Sequence, residues 1–182
     1  MSFEQLRRRL TEGRPLVLDA DTGASFRARG VALSSPGALG QLLREQPSEV
    51  VAHYNAEIDS RVDVLSALTA DTTPRALSEV GMEHRAAQLT GRAVEIALEA
   101  TDEAGRPVAV AGVLGSDMVS PVAADRLHEE LTEHAARLGA AGCQLLVARG
   151  QGSRLGLMAA VVAASRTELP TWAVIECGPT GD

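Results

Sequence analysis

The chain's 182 residues suffice for one domain of ordinary size with a real core, and its 45% hydrophobic and 23% charged residues place it among soluble globular proteins. Only 2% of residues are aromatic and the net charge is −7, which leaves neither stacking platforms nor clustered basic charge for binding nucleic acid. All 17 basic residues are arginine, so a Schiff-base lysine, a P-loop and a kinase-type phosphate lysine are excluded.

FEQLRRRLTEG (residues 3–13) spaces Phe3, Leu6 and Leu10 for a short helix that stops at Gly13. PLVLDA (residues 15–20) reads as a fully buried parallel strand, with Asp19 emerging at its C-terminal end before a polar loop that contains Gly23. Two helix starts follow, at Ser35-Pro36 and Pro47-Ser48, each with a proline near the first turn. DVLSALTA (residues 63–70) is the second strand. Residues 82–104 form a helix on Leu89, Ala93, Ile96 and Leu98, stopped by GRP at 105–107. PVAVAGVLG (residues 107–115) is the clearest buried strand. A helix over residues 123–138 leads through GAAG to a fourth strand, CQLLVARG (residues 143–150). SRLGLMAAVVAASRTEL (residues 153–169) is a helix with an apolar face broad enough to be mostly covered, and TWAVIEC (residues 171–177) is a fifth strand.

Strands alternate with helices across short connections, which predicts an α/β fold with a parallel sheet in a single domain, residues 1–182. Cys143 and Cys177 lie 34 residues apart with no CxxC, so neither a disulfide framework nor a structural zinc site is expected. MSFEQLRRRL has no apolar leader core, and no run approaches the ~18 apolar residues of a membrane span. The expectation is a cytoplasmic protein without membrane contact. Its arginine-only, alanine-rich composition points to a bacterial, GC-rich genome.

Taken together, RPLVLDADTGASFRARG, RVDVLSALTADTTPRALSEVG, VAVAGVLG, GAAGCQLLVARG and LPTWAVIECGPTG resemble, in order and spacing, the first five strand units of the homocysteine S-methyltransferase family. That resemblance implies an incomplete TIM-type (β/α) barrel of about five parallel strands with outer helices. In the family a zinc ion held by cysteines after later strands binds the homocysteine thiol as thiolate. No such positions occur in these residues, so no cofactor is expected from this chain alone. The family's amino-acid-binding positions are also altered. Its opening glycine pair becomes Ala20-Asp21, its second-strand Asn and aromatic fall at Leu68 and Ala70, and its third-strand Ser falls at Val113. The Glu at the end of its fourth strand corresponds to Arg149.

The candidate small-molecule site is therefore at the strand tips: Asp19, Asp21, Thr22, Gly23, Asp71, Asp117 and Arg149. Asp19 and Asp21 are either a carboxylate pair for binding and acid–base work or caps for the following turn. Arg149 either binds a ligand carboxylate or pairs with Asp19 or Asp21 to fill an abandoned pocket. Asp71 and Asp117 are either site residues or solvated loop residues. Cys177, beside Glu176, is either a nucleophile or metal ligand or a small buried thiol, and Cys143 is core. His53, His84, His128 and His134 fall on helices and are expected to be surface or partly buried. HEELTEH spaces its histidines by six, not the i,i+4 of a zinc pair.

Five strands do not close a barrel of the family's shear, so open edges and apolar faces need cover. Three arrangements supply it: a homodimer, a partner subunit that completes the barrel, or an open doubly wound sheet with helices on both faces. The function expected is a diverged, shortened methyltransferase-like protein that transfers methyl to a thiol acceptor only if another chain supplies the metal site. The alternative is a noncatalytic pseudoenzyme serving as a structural or regulatory subunit.

Overall fold

Buried backbone N–H and C=O groups must find partners, and apolar runs such as AVAGVL find them in neighbouring strands. The computed structural model describes residues 2–19, 22–31, 33, 35–115, 122–150 and 153–175. It contains four strands, β1 (Val64–Ala67), β2 (Ala109–Leu114), β3 (Leu145–Arg149) and β4 (Thr171–Val174), in the order β1-β2-β3-β4. All three pairings are parallel, with Ser66 beside Ala111, Val113 beside Val147 and Arg149 beside Val174. Sequential parallel strands joined by helical crossovers are the winding of a barrel wall, whereas a doubly wound sheet reverses its order. The α/β fold with outer helices is thus borne out, a partial barrel fits it, and the doubly wound arrangement is ruled out.

Helices α1 (Phe3–Thr11), α2 (Thr22–Ala28), α3 (Ala38–Glu45), α4 (Pro47–Asp59), α5 (Pro74–Ser78), α6 (Ala86–Glu103), α7 (Ala124–Ala140) and α8 (Arg154–Ala164) connect the strands, with a 3-10 turn at Glu83–Arg85. Ser2 and Gln5 cap α1 reciprocally, and Ser153 caps α8 by accepting from Gly156 N. Pro47 opens α4 as its spacing predicts, while α3 begins after Gly37, two residues beyond Pro36. Gly37 has φ +79°, and a Cβ there would lie 2.5 Å from the Ala76 carbonyl oxygen, so the approach of α3 to α5 requires glycine.

Strand alternation divides the core in two. Leu65, Val110, Leu114 and Leu146 point outward and merge with Tyr54 of α4, Val94 of α6 and Leu138 of α7. Val64, Ala109, Ala111, Leu145 and Val147 point inward, where α1 covers them with Leu6 and Phe3. Each buried Leu or Val contributes roughly 1.5–3 kcal/mol, so the sheet, covered on both faces, is the main source of stability. Gly112 faces outward, and a Cβ on it would meet Cys143 Sγ at 2.9 Å and Leu138 at 3.0 Å, so α7 can lie close to β2. Cys143 is core, as expected.

Two expectations need correction. PLVL does not form a fully buried strand: its ladder is one parallel bridge, Leu18 to Val64, and Val17 and Leu18 are 48% and 41% exposed. Among the described residues the segment runs along the sheet's edge with β1 on one side only, so its apolar side chains have no second strand neighbour there. Helix α8 is also less covered than its apolar breadth suggests, with Leu155 73% and Met158 55% exposed. Its small residues Ala160, Ala163 and Ala164 make the packing, and β4 is the last described strand on that flank.

An ion pair substitutes for the missing ladder at the first edge. Asp63 N donates to Val17 O (2.7 Å), and the Asp63 carboxylate returns the bond by accepting from Val17 N (3.0 Å). Arg9 of α1 forks onto the same carboxylate and also donates to Pro15 O (3.1 Å), so α1, the edge segment and β1 meet at one side chain. Burial alone would raise the Asp63 pKa, but the Arg9 guanidinium and the Val17 N–H outweigh it and hold the carboxyl below its ordinary value. A depressed carboxyl stabilises the fold above its unfolded pKa of about 3.9 and loses that contribution as pH falls through the lower folded value. Asp63→Asn is expected to cost about 1–3 kcal/mol in urea melts at neutral pH, and the gap from wild type should narrow on acidification below pH ~4.

Candidate functional site

All strands of a parallel sheet end on the same side, so the loops that follow them converge there. At that end lies a cavity of about 250 Å³. Thr22, Gly23 and Arg27 of α2 line it, with Ser66 and Ala67 of β1, Thr69 and Asp71 beyond it, Val113 of β2 and Arg149 of β3. The volume lies below the roughly 300–1,000 Å³ of drug-sized sites, so it suits a small metabolite and not a polymer segment.

Asp19 forms the support behind this wall. Its Oδ2 accepts from Ser66 N (2.7 Å) and its Oδ1 from Ser66 Oγ (2.8 Å), which locks the edge segment to the tip of β1. Burial raises the Asp19 pKa, while the two Ser66 bonds and, more weakly, Arg149 pull the other way. The structure thus brings four sequence-predicted residues, Thr22, Gly23, Asp71 and Arg149, to the cavity wall and sets Asp19 one residue back, acting through Ser66. Asp21 and Asp117 lie outside the described residues, as do Glu176 and Cys177. Burial pushes the Asp71 carboxyl upward. Arg149 lies within electrostatic reach of Asp19 without bridging it, and its buried Nε has no hydrogen-bond partner among the described residues.

The loop after β1 is held by a buried polar scaffold that sequence reasoning missed. Tyr54 Oη accepts from Leu68 N (2.9 Å) and donates to Ala93 O (3.4 Å). Thr69 Oγ1 accepts from Val113 N (2.8 Å) and donates to Val113 O (3.1 Å), tying the loop to β2. Thr69 O accepts from Thr72 Oγ1 (3.0 Å) and from His134 Nε2 (3.0 Å). Because a carbonyl only accepts, the neutral His134 ring carries its proton on Nε2. The one local signal was the threonine density of LTADTT, together with Ser66 inside an otherwise apolar strand.

Two histidines correct the expectation of surface or partial burial. His53 and His134 are fully buried, because each ties a helix to an element over the sheet. His53 of α4 meets Ser25 Oγ of α2 at Nδ1 (3.1 Å) and packs against Phe26 at a ring separation of 4.8 Å. Burial lowers both rings' pKa, that of His134 to about 4 against the opposing Thr69 bond. His84 is exposed and His128 half-buried, as expected.

The described fold and cavity accord with what sequence comparison finds. The family model for homocysteine S-methyltransferase matches residues 16–181. The chain belongs to the homocysteine S-methyltransferase family. No curated protein matches it in sequence. Among solved structures, the homocysteine methyltransferase MmuM from Escherichia coli in its oxidised form superposes with a TM-score of 0.77 at 18% identity, over 93% of this chain and 65% of that one. The metallated form gives 0.72 at 18% identity over 93% and 66%, and the apo form 0.67 at 17% over 93% and 63%. The chain therefore spans just under two thirds of the length of these MmuM structures.

The zinc chemistry implied by the family needs thiolate donors, and the described residues do not fit it. No three of their His, Cys, Asp and Glu side chains converge as a metal cluster. Cys143 lies on the outward face of the sheet, away from the cavity, and burial pushes its thiol up to about 12. A larger groove of about 570 Å³ lies between α5 and α7, where Arg75 already bridges Glu130 (3.0 Å). No helix among the described residues is long and apolar enough to cross a membrane.

Tyr54→Phe leaves Leu68 N–H unpaired inside the protein and should cost about 1–3 kcal/mol by chemical denaturation. His134 sets a pH dependence of opposite origin from a salt bridge. Its depressed pKa means that stability is full above the unfolded value of about 6.5 and declines as pH falls from there toward about 4. His134→Gln, which keeps a donor but does not titrate, should flatten that decline in thermal melts between those two pH values.

Proposed function

We propose that this chain is the acceptor-binding portion of a methyltransferase-family barrel. A small molecule occupies the strand-tip cavity, and methyl transfer to a thiol takes place only when metal ligands are supplied from outside these 182 residues, by another chain. The single observation that carries this reading is the convergence of Thr22, Gly23, Ser66, Asp71 and Arg149 on one cavity at the C-terminal ends of parallel strands. That is where this architecture places its chemistry. The chain's own contribution is to bind and orient the acceptor. Thr22 and Arg149 offer donors, and the Tyr54, Thr69 and His134 scaffold holds the loop that closes one side. The metal, when present, would hold the acceptor sulfur as thiolate.

A second reading is a noncatalytic subunit that uses the partial barrel as an assembly surface. It is favoured by the exposed apolar residues Leu155, Met158 and Ile175, the last 72% exposed, beside the edge of β4, which pairs with no further strand among the described residues. Elemental analysis and light scattering on the purified protein separate the two. Both readings predict less than one zinc per chain and no thiol methylation by the chain alone. The first predicts that activity appears on adding a partner that restores the metal site, and the second that assembly occurs without activity. A strictly monomeric protein would overturn the partner requirement in both.

A further inference from the structure

We propose that His53 is a positioning residue for the strand-tip cavity: it holds α2, and with it part of the cavity wall, only while its ring is uncharged, so that mild acid releases α2 from α4 without unfolding the rest of the chain. This concerns how the cavity is kept closed and stands whichever ligand occupies it.

Helix α2 is short and buries one side chain, Phe26. The Phe26 ring packs on the His53 ring at 4.8 Å, and Ser25 Oγ meets His53 Nδ1 at 3.1 Å. Just past the helix, Arg29 donates to Glu49 O (3.4 Å) and Ala52 O (3.0 Å), again on α4. These contacts surround one fully buried histidine. Thr22, Gly23 and Arg27 of the same helix line the cavity, so the seat of α2 on α4 sets where that part of the wall stands.

His53 suits this task while neutral and fails it when charged. A neutral imidazole has one donor and one acceptor nitrogen, whereas the imidazolium donates from both. Ser25 Oγ serves Nδ1 in either state, because a hydroxyl both donates and accepts. Nε2 is shut off from water and has no hydrogen-bond partner among the described residues. The charged ring would therefore set an N–H and part of a positive charge in a dry interior, with no acceptor among those residues. Burial is accordingly the main influence on the ring and lowers its pKa. The Glu57 carboxylate, with Oε1 3.8 Å from Nδ1, pulls the other way, and the Arg29 guanidinium adds to the lowering. Moving α2 away brings the ring into water, where it titrates near the ordinary value of about 6.5. The released state thus binds the proton more tightly than the docked one. Docking is favoured above pH ~6.5, and below it the ratio of docked to released α2 falls by up to about tenfold per pH unit until the docked ring itself titrates.

Hydrogen exchange of the full chain, read by mass spectrometry and corrected for the intrinsic pH dependence of exchange, decides the matter. Between pH ~7.5 and pH ~5.5 the amides of α2 are expected to lose protection several-fold, while those of β2 and α6 keep theirs. His53→Gln keeps a polar group for Ser25 but does not titrate, and should hold α2 equally at both pH values. Ser25→Ala removes the hydroxyl but leaves the ring, so α2 should exchange faster throughout and still respond to acid. Equal α2 protection at the two pH values, in the wild-type protein or in Ser25→Ala, overturns the proposal, and these two proteins decide it should His53→Gln fail to fold. A parallel loss of protection in β2 and α6 overturns it as well, since the response is then global. So does an acid response that survives in His53→Gln, which would assign it to Asp19, Glu57 or Asp71.

Discussion

The clamp between Asp19 and Ser66 is the constraint on which the site depends. One carboxylate accepts the backbone N–H and the hydroxyl of one residue, and so joins a segment that has almost no sheet ladder to the tip of the first full strand. Because the bond engages both carboxylate oxygens, the edge segment cannot slide along β1 without leaving a buried charge unpaired. Helix α2, which follows directly, owes its position over the cavity to that register. The Arg9–Asp63 pair performs the matching task at the other end of the same segment.

The cavity is thus set between two kinds of support. On the side of α2 the support is charged: Asp19, with Glu57 and Arg149 in electrostatic reach. On the side of the loop after β1 it is neutral and fully buried, built from Tyr54, Thr69, Thr72, Thr90 and His134. Neutral hydrogen bonds in a water-free interior hold their geometry without the desolvation cost of ions. The cavity wall can then carry Arg149, whose Nε has no hydrogen-bond partner among the described residues, because the frame behind it does not depend on that side chain.

Family membership and divergence are compatible in these terms. The winding order and the inward and outward division of the sheet are properties of the barrel wall in this chain, and the fold as a whole is shared with MmuM at 18% identity. The polar groups at the tips are free to change, because each projects from the end of a strand and not from its packed middle.

The sequence by itself determined the alternation of strands and helices, the parallel sheet and the strand tips as the place to look. Those follow from periodicity, from proline and glycine punctuation and from polar residues emerging at the ends of apolar runs, all of which are local. It also made Thr22, Gly23, Asp71 and Arg149 candidates, since each stands at the end of a strand or just beyond one. Tertiary structure alone decided that PLVL is a half-exposed edge, because burial of a strand depends on having neighbours on both sides. It alone decided that His53 and His134 are core, since a helical histidine reads the same whether its face meets water or another helix. The roles of Asp19 and Asp63 were decided there too: each carboxylate is spent on partners about 50 residues away, a separation at which no sequence pattern records a hydrogen bond.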